Sequence, residues 1–122
     1  MQKTILVTDD QKHMLKVLEF SLADTGCRVE TATSGEETLA RAAAGTIDLL
    51  LIDVKLPGMD GIETVRALKQ NPAYAELPVI VLTGGGREEF NFEAKEVGAS
   101  LFLTKPFSPS ELSRHVKQLL SL

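Results

Sequence analysis

Short apolar segments alternate along this chain with longer amphipathic segments, and this alternation constrains the fold more than any other feature. The apolar segments are rich in leucine or β-branched residues and are bounded by turn residues, which is typical of strands. They are Ile5–Val7, Cys27–Ala32, Ile47–Ile52, Val79–Leu82 and Leu101–Leu103. All except the more polar second segment are nearly continuous in hydrophobicity, which indicates strands of a parallel sheet covered on both faces.

Each predicted strand is followed by a segment with helical periodicity. These segments cover residues 11–26, 34–45, 61–71, 87–98 and 108–122. Ser34 and Ser108 stand where N-caps are expected, and Glu37 follows Ser34 at the spacing of a capping box. The βα order predicts a doubly wound α/β fold, with a parallel sheet between two helical layers and right-handed crossovers. The length fits one domain over residues 1–122.

Charge and cysteine content narrow the class of function and the compartment. The formal net charge is −4, which argues against direct nucleic-acid binding because duplex binding needs clustered Lys and Arg. A single cysteine, Cys27, leaves no internal disulfide and favours a reducing compartment. The N-terminal apolar run is too short for a signal peptide, and no segment approaches the ~18 apolar residues of a membrane span. We therefore expect a soluble cytoplasmic protein without a membrane partner.

Polar side chains follow four of the five predicted strands. In open parallel sheets, ligands bind outside the carboxyl ends of the strands, so these side chains define the candidate site. The fourth strand is followed by a glycine-rich loop that begins with Gly84 and Gly85. The polar residues at the strand ends are Asp9 and Asp10, Asp53, Thr83 and Lys105.

Three neighbouring carboxylates repel one another unless a cation intervenes. Lys105 supplies one positive charge, and the oxygen-only ligand set suits Mg²⁺, which binds a few carboxylates together with waters and phosphate oxygens. Zinc is not expected, because no His or Cys joins the group. A carboxylate beside Mg²⁺, with Lys and Thr donors opposite, is suited to phosphoryl transfer onto that carboxylate.

Four segments of the chain together resemble a known family. The segments "ILVTDD", "LLLIDVKLPGMDG", "PVIVLTGG" and "LTKPF" are similar, in order and spacing, to the conserved blocks of receiver domains of two-component response regulators. The resemblance covers the whole chain. It implies a flavodoxin-like (βα)5 fold with the strand order 2-1-3-4-5.

The resemblance also implies a phosphoacceptor and a metal site. Asp53 would accept a phosphoryl group from a phosphohistidine on a sensor histidine kinase or phosphotransfer protein. Asp9 and Asp10 would hold Mg²⁺ together with Asp53, with Asp10 as the more direct ligand and Asp9 acting through water. The backbone carbonyl of Lys55 would be a further ligand.

The remaining site residues would sense the phosphoryl group. Lys105 would pair with a phosphoryl oxygen, and Pro106 would follow a cis peptide bond. Thr83 would bind the phosphoryl group and move toward it, and the backbone amide of Gly84 would face the same group. Phe102 matches the aromatic residue that turns inward in the active state.

The expected function is a timed signalling switch. The family autodephosphorylates, and apart from that self-catalysed chemistry the chain is not expected to be an enzyme. The face formed by the fourth helix, fifth strand and fifth helix would rearrange to control an effector protein or a fused output domain, and could support a homodimer. Both a stand-alone receiver and a receiver from a longer regulator fit the sequence. The kinase, the pathway and the oligomeric state are not readable from it.

Two further hypotheses concern single positions. Lys55 and Gly85 lie two residues after Asp53 and Thr83, where they flank the path of an attacking water. We expect this pair to set the lifetime of the phosphate. Phe92 lies opposite the apolar stripe of the fourth predicted helix, where it could anchor a partner.

Three other readings compete with the receiver. A haloacid-dehalogenase-like phosphatase also phosphorylates an Asp after a buried strand, but it needs a second Asp where this chain has Lys55. A pseudo-receiver, which binds partners without phosphorylation, is disfavoured because every polar residue of the site is present. A flavodoxin-like electron carrier is disfavoured because the chain lacks a Ser/Thr-rich phosphate loop and has one Tyr and no Trp.

Overall fold

Strands and helices alternate, as the sequence predicts, in the described part of the chain up to the fourth strand. The structure, a computed structural model, describes residues 2–84 and 97–122. The strands in these ranges are β1 (Thr4–Thr8), β2 (Arg28–Ala32), β3 (Leu49–Asp53), β4 (Val79–Thr83) and β5 (Leu101–Thr104). The helices there are α1 (Lys12–Ser21), α2 (Gly35–Ala44), α3 (Gly61–Lys69) and α4 (Pro109–Leu119). Residues 85–96, which include most of the predicted fourth helix (87–98), lie outside the described part. The helix labelled α4 here is therefore the predicted fifth helix.

All the strand pairings in the described sheet are parallel, in the order β2-β1-β3-β4-β5. The ladders run to the carboxyl ends: Thr8 is level with Ile52, Asp53 with Leu82, and Thr83 with Thr104. This confirms the predicted fold class and strand order. It also brings the strand ends to one edge of the sheet.

The hydrophobic core has two layers, one on each face of the sheet. Every residue of β3 and β4 is buried, and successive residues alternate between the layers. Leu50 and Ile52 pack with residues of α2 and α3, whereas Leu49 and Leu51 pack with residues of α1 and α4. Coverage of both faces explains why these strands are continuously apolar in sequence. None of the helices in the described ranges is long and apolar enough to cross a membrane.

The predicted helix caps are present. Ser34 Oγ accepts from the Glu37 N–H at 3.0 Å, and Ser108 Oγ accepts from the Glu111 N–H at 3.0 Å. The capping box expected around Glu37 is modified, because its carboxylate accepts from the Thr33 N–H at 2.6 Å. These bonds satisfy amides that a helix leaves without intrahelical partners in its first turn.

Two of the element boundaries that differ from the sequence prediction have a local physical cause. The third strand begins at Leu49 rather than at Ile47, because the Asp48 carboxylate accepts from the Thr4 N–H at 2.8 Å just before the ladder. Helix α1 ends at Ser21, and a 3₁₀ turn over Ala23–Thr25 leads to Gly26, whose φ is +74°. Periodicity alone does not distinguish this turn from a longer helix.

Candidate functional site

The three predicted carboxylates meet at the carboxyl edge of the sheet. Asp9 and Asp10 follow β1, Asp53 ends β3, and these strands are neighbours. One carboxylate oxygen from each residue lies within 4.8 Å of the others. Asp9 is 0% exposed and Asp53 is 8% exposed, whereas Asp10 is exposed. The cluster therefore spans the boundary between the core and solvent.

Lys105 supplies the positive charge inside this cluster. Its Nζ lies 3.2 Å from Oδ2 of Asp9 and 3.2 Å from Oδ2 of Asp53, and its side chain is 19% exposed. The backbone N–H of Lys105 donates to the Thr83 carbonyl at 2.7 Å, which extends the β4–β5 pairing to this residue. The Lys105–Pro106 peptide bond is cis, as the resemblance implies. One ammonium group thus offsets two buried carboxylates at once.

Hydrogen bonds fix both the carboxylate and the main chain of Asp9. Oδ1 of Asp9 accepts from the Gln11 N–H at 2.9 Å, and the Asp9 N–H donates to the Ala32 carbonyl at 3.1 Å. The first contact is an Asx-type turn, in which a carboxylate bonds the amide two residues ahead. The sequence analysis did not identify Gln11, although an Asp directly after a strand is a signal for such a turn.

The Asp53 carboxyl group is less acidic than an ordinary one. Burial raises its pKa, and the nearby Asp9 carboxylate raises it further. The charge and hydrogen bond of Lys105, and the backbone N–H of Lys55, act in the opposite direction. The net effect is a raised pKa, because desolvation disfavours the charged form more than its partners favour it. A second cation at this site would favour the ionised form.

The segment after Asp53 is fixed by close backbone packing. The Gly61 N–H donates to the Val54 carbonyl at 2.9 Å. A Cβ atom at Gly61 would overlap the carbonyl oxygen of Asp53, so only glycine fits there without a shift. The loop borders an open cleft of about 520 Å³ beside the acid cluster. The cleft is lined by Asp10, Val54, Lys55, Leu56, Pro57, Gly58 and Asp60.

The other predicted site residues lie on or beside β4 and β5. Thr83 ends β4 and is 3% exposed, and Gly84 follows it at the surface. Phe102 lies on β5 level with Val81, is half-buried, and packs against the core layer that includes Val81. Gly85 and Phe92 lie outside the described residues, so the hypotheses about them stay predictions.

The donor set at the acid cluster fits Mg²⁺. The side chains of Asp9, Asp10 and Asp53 offer only carboxylate oxygens, which are the ligands that this ion prefers. Lys55 follows on the exposed loop, where its backbone carbonyl could add a neutral oxygen. Asp10 and the adjoining cleft face solvent, which leaves room for the waters that Mg²⁺ retains. The residues present therefore agree with the cofactor that the resemblance implies.

Comparison with curated proteins gives relatives over nearly the whole chain. The transcriptional regulatory protein PhoP of Bacillus subtilis, named for alkaline phosphatase synthesis, is 39% identical over 120 residues. The match covers 98% of this chain and 49% of PhoP. The chain thus spans about half the length of this relative, and a smaller share of some others.

Comparison with solved structures and with a family model also gives matches over nearly the whole chain. The chemotaxis response regulator CheY4 of Vibrio cholerae is 34% identical with a TM-score of 0.91, and the match covers 98% of this chain and all of CheY4. A putative response regulator from Chloroflexus aurantiacus is 36% identical with a TM-score of 0.93, with 100% of both chains covered. The family model for the response regulator receiver domain matches residues 5–117. The chain therefore belongs to the receiver domains of two-component response regulators.

Proposed function

We propose that Asp53 accepts a phosphoryl group from a phosphohistidine and that the chain is a phosphorylation-dependent switch in the cytoplasm. The observation that carries this proposal is the position of Lys105 Nζ, 3.2 Å from both Asp53 and Asp9, within a cluster of three carboxylates. The donor would be a sensor histidine kinase or a phosphotransfer protein. Membership of the receiver family supports this choice of donor.

Asp53 is the nucleophile in this scheme. A carboxylate oxygen of Asp53 forms a bond to phosphorus as the bond from phosphorus to the donor nitrogen breaks. The donor imidazole leaves with the electron pair of the broken bond and takes up a proton from solvent. The reaction needs the ionised carboxylate, which Lys105 and the Lys55 amide favour against the effect of burial.

The charge of the transferring group is balanced by residues around Asp53. Lys105 offers an ammonium group at the mouth of the site, where it can leave its carboxylate partners for a phosphoryl oxygen. Asp9, Asp10 and Asp53, with the Lys55 carbonyl, would hold Mg²⁺, which neutralises phosphoryl charge when bound. The Thr83 hydroxyl and the Gly84 amide would contact the same group.

The proposed output is a rearrangement of the face formed by the predicted fourth helix, β5 and α4. The backbone N–H of Lys105, the residue that follows β5, donates a hydrogen bond to the carbonyl of Thr83 at the end of β4. Movement at Thr83 would therefore reach β5 directly. Phe102 on β5 is half-buried and would follow this movement. The population of the active state rises because the phosphoryl group contacts that state better. The target is an effector protein or a fused output domain, and the same face would support a homodimer.

The phosphate would be temporary. An aspartyl phosphate is a mixed anhydride that water hydrolyses, so the switch resets by itself. Lys55 is exposed beside the cleft, and we propose that it sets this lifetime together with Gly85. Beyond this self-catalysed transfer and hydrolysis, we propose no enzymatic activity.

A mass measurement tests the proposal. The purified chain is incubated with acetyl phosphate and Mg²⁺, and the intact mass is recorded with and without EDTA. We expect a phosphoryl adduct that depends on Mg²⁺ and is absent from Asp53→Asn. Asp60→Asn is the matched control, because Asn can still cap α3 and Asp60 lies outside the acid cluster. An adduct of equal yield on Asp53→Asn, or none on the wild type, would reject the proposal.

A further inference from the structure

Two buried hydroxyl groups are hydrogen-bonded to each other at the end of β1, one residue before the acid cluster begins at Asp9. Oγ1 of Thr8 and Oγ1 of Thr38 are 2.6 Å apart, and both residues are 0% exposed. Thr8 is the last residue of β1 and immediately precedes Asp9, whereas Thr38 belongs to α2. The bond therefore joins the strand end that carries Asp9 and Asp10 to a helix on one face of the sheet.

One arrangement of the hydroxyl protons makes both hydrogen bonds of this pair at once. The Thr38 hydroxyl donates to the Ser34 carbonyl at 2.9 Å. Because a hydroxyl has a single proton, Thr38 accepts from Thr8 in this arrangement. The result is a chain of two hydrogen bonds from the end of β1 to the first turn of α2. The Thr8–Thr38 bond is buried, and the bond to Ser34 is partly buried.

Packing alone does not require these hydroxyl groups. Thr8 lies two residues after Leu6 on the same face of β1 and is level with Ile52 in the ladder, so its surroundings include the core layer formed by Leu6 and Ile52. Valine would fill the same volume without the cost of burying a hydroxyl. The hydrogen bond between the two threonines instead fixes the position of the end of β1 relative to α2, because a hydrogen bond restricts the distance and angle between its partners.

The N-terminal end of α2 packs closely against the loop that follows Asp53 and against α3. A Cβ atom at Gly35 would overlap Oγ1 of Thr64 in α3 and would lie 3.1 Å from the carbonyl oxygen of Met59. Ser34, whose carbonyl accepts the hydrogen bond from the Thr38 hydroxyl, directly precedes Gly35. The start of α3 packs equally closely, since Gly61 lies against the carbonyl oxygen of Asp53. The hydroxyl chain thus connects the Asp9 half of the acid cluster to the Asp53 half.

We infer that Thr8 and Thr38 are positioning residues that hold the carboxyl end of β1 at the spacing that a divalent cation between Asp9, Asp10 and Asp53 requires. They touch neither the cation nor the phosphoryl group. Their role for Mg²⁺ rests on the proposed function, whereas their role in fixing the strand end does not.

The double variant Thr8→Val with Thr38→Val removes both hydroxyl groups and keeps the side-chain volumes. Replacing both partners leaves no buried donor unsatisfied, so the urea midpoint should stay close to that of the wild type. Ser21→Ala is the control: Ser21 is also buried, and its hydroxyl donates to the Val17 carbonyl within α1. Thr38→Ser retains the hydroxyl and should behave as the wild type.

Amide hydrogen exchange in the metal-free protein reads the strand end directly. The informative amides are those of Asp9, which donates to Ala32, and Gln11, which donates to Asp9. We expect exchange about 5-fold faster at these two amides in the double variant and no change in the middle of β1. Faster exchange along all of β1 with a lower urea midpoint would mean a merely structural role and would overturn the inference.

Calorimetric titration with Mg²⁺ is the second readout. We expect the double variant to bind Mg²⁺ about 10-fold more weakly than the wild type, and Ser21→Ala and Thr38→Ser to bind as the wild type does. Equal affinity of the double variant and Ser21→Ala would overturn the role toward the cation. A wild type that binds no Mg²⁺ would instead reject the proposed function, and the exchange of the metal-free protein would still decide whether the hydroxyl pair fixes the strand end.

Discussion

The Nζ atom of Lys105 lies 3.2 Å from Oδ2 of Asp53, although the two residues are 52 positions apart in the chain. Asp53 ends β3 and Lys105 follows β5, and β4 lies between these two strands. The Lys105 side chain therefore reaches across the end of β4. The contact exists because parallel strands bring their carboxyl ends to one edge. It couples the charge of the proposed phosphoacceptor to the segment that follows β5.

Lys105→Gln should slow phosphorylation by about 100-fold, the loss typical of removing one donor to a developing negative charge. The variant also removes the cation that lowers the pKa of Asp53, so less of the nucleophile is ionised. The measurement is the initial rate of adduct formation from acetyl phosphate at saturating Mg²⁺. Lys117→Gln, which breaks an exposed ion pair with Asp24, is the control and should keep the wild-type rate. A rate for Lys105→Gln within about 3-fold of the wild-type rate would contradict the role of Lys105 in phosphoryl transfer.

Thr83→Ala should separate phosphorylation from its structural consequence. We expect the adduct to form, but the amide resonances of β5 and α4 to shift much less when beryllofluoride and Mg²⁺ are added. Thr83→Ser, which keeps the hydroxyl, should respond as the wild type does. Thr104→Ala is the matched control, because Thr104 is level with Thr83 in the ladder but exposed. Full resonance shifts in Thr83→Ala would show that this hydroxyl is not the sensor.

Gly61→Ala should destabilise the fold by about 1–3 kcal/mol, the range typical of overpacking. The new Cβ would overlap the Asp53 carbonyl oxygen, and this backbone atom cannot rotate away as a flexible side chain can. Gly45→Ala is the control, because a Cβ there meets only the Arg41 carbonyl oxygen at 4.0 Å. Urea denaturation of both variants measures the difference. Equal unfolding free energies would show that the start of α3 can move away from Asp53 without cost.

Asp24 should make stability depend on pH at a place remote from the acid cluster. The Ser113 hydroxyl, at 2.7 Å, and the Lys117 ammonium, at 3.1 Å, hold the pKa of the Asp24 carboxyl below its usual range. A lowered pKa in the folded state stabilises the fold above the unfolded pKa of about 4, and this stabilisation is lost as the pH falls through the folded value.

Asp24→Asn should therefore have a lower urea midpoint than the wild type at pH 7, and the two midpoints should converge below about pH 4. The effect is small because this carboxylate is exposed to solvent. In a Lys117→Met background the difference at neutral pH should shrink. A difference between wild type and Asp24→Asn that is constant from pH 7 to about pH 3 would mean that the charge of Asp24 is not involved.

The positions of the site residues follow from the sequence because chain order and strand pattern determine them. An apolar run that ends in Asp53 predicts a buried strand with a carboxylate at its carboxyl end, and the structure has this arrangement. Asp9 could be placed beside it because parallel strands align their ends. The caps at Ser34 and Ser108 depend only on residues within one turn, and both are present.

The contacts that a local pattern does not encode were not predicted. Thr8 lies in a strand motif and Thr38 in a helical stripe, and their bond appears only when α2 is packed on the sheet. The Tyr74 hydroxyl bonds the Ala42 carbonyl at 2.7 Å, a contact between segments 32 positions apart. Such bonds depend on side-chain directions in the assembled core. A polar residue at an apolar position of a strand face, such as Thr8 after Leu6, is the available signal in the sequence.

Locating the phosphate on the chain tests the central claim most directly. The protein is phosphorylated with acetyl phosphate and Mg²⁺, reduced with borohydride to convert an aspartyl phosphate to homoserine, digested and sequenced by tandem mass spectrometry. The account predicts homoserine at position 53, with Asp9 and Asp10 unmodified. Homoserine at Asp9 or Asp10, or a phosphate that survives on a Ser, Thr or His side chain with Asp53 intact, would contradict it.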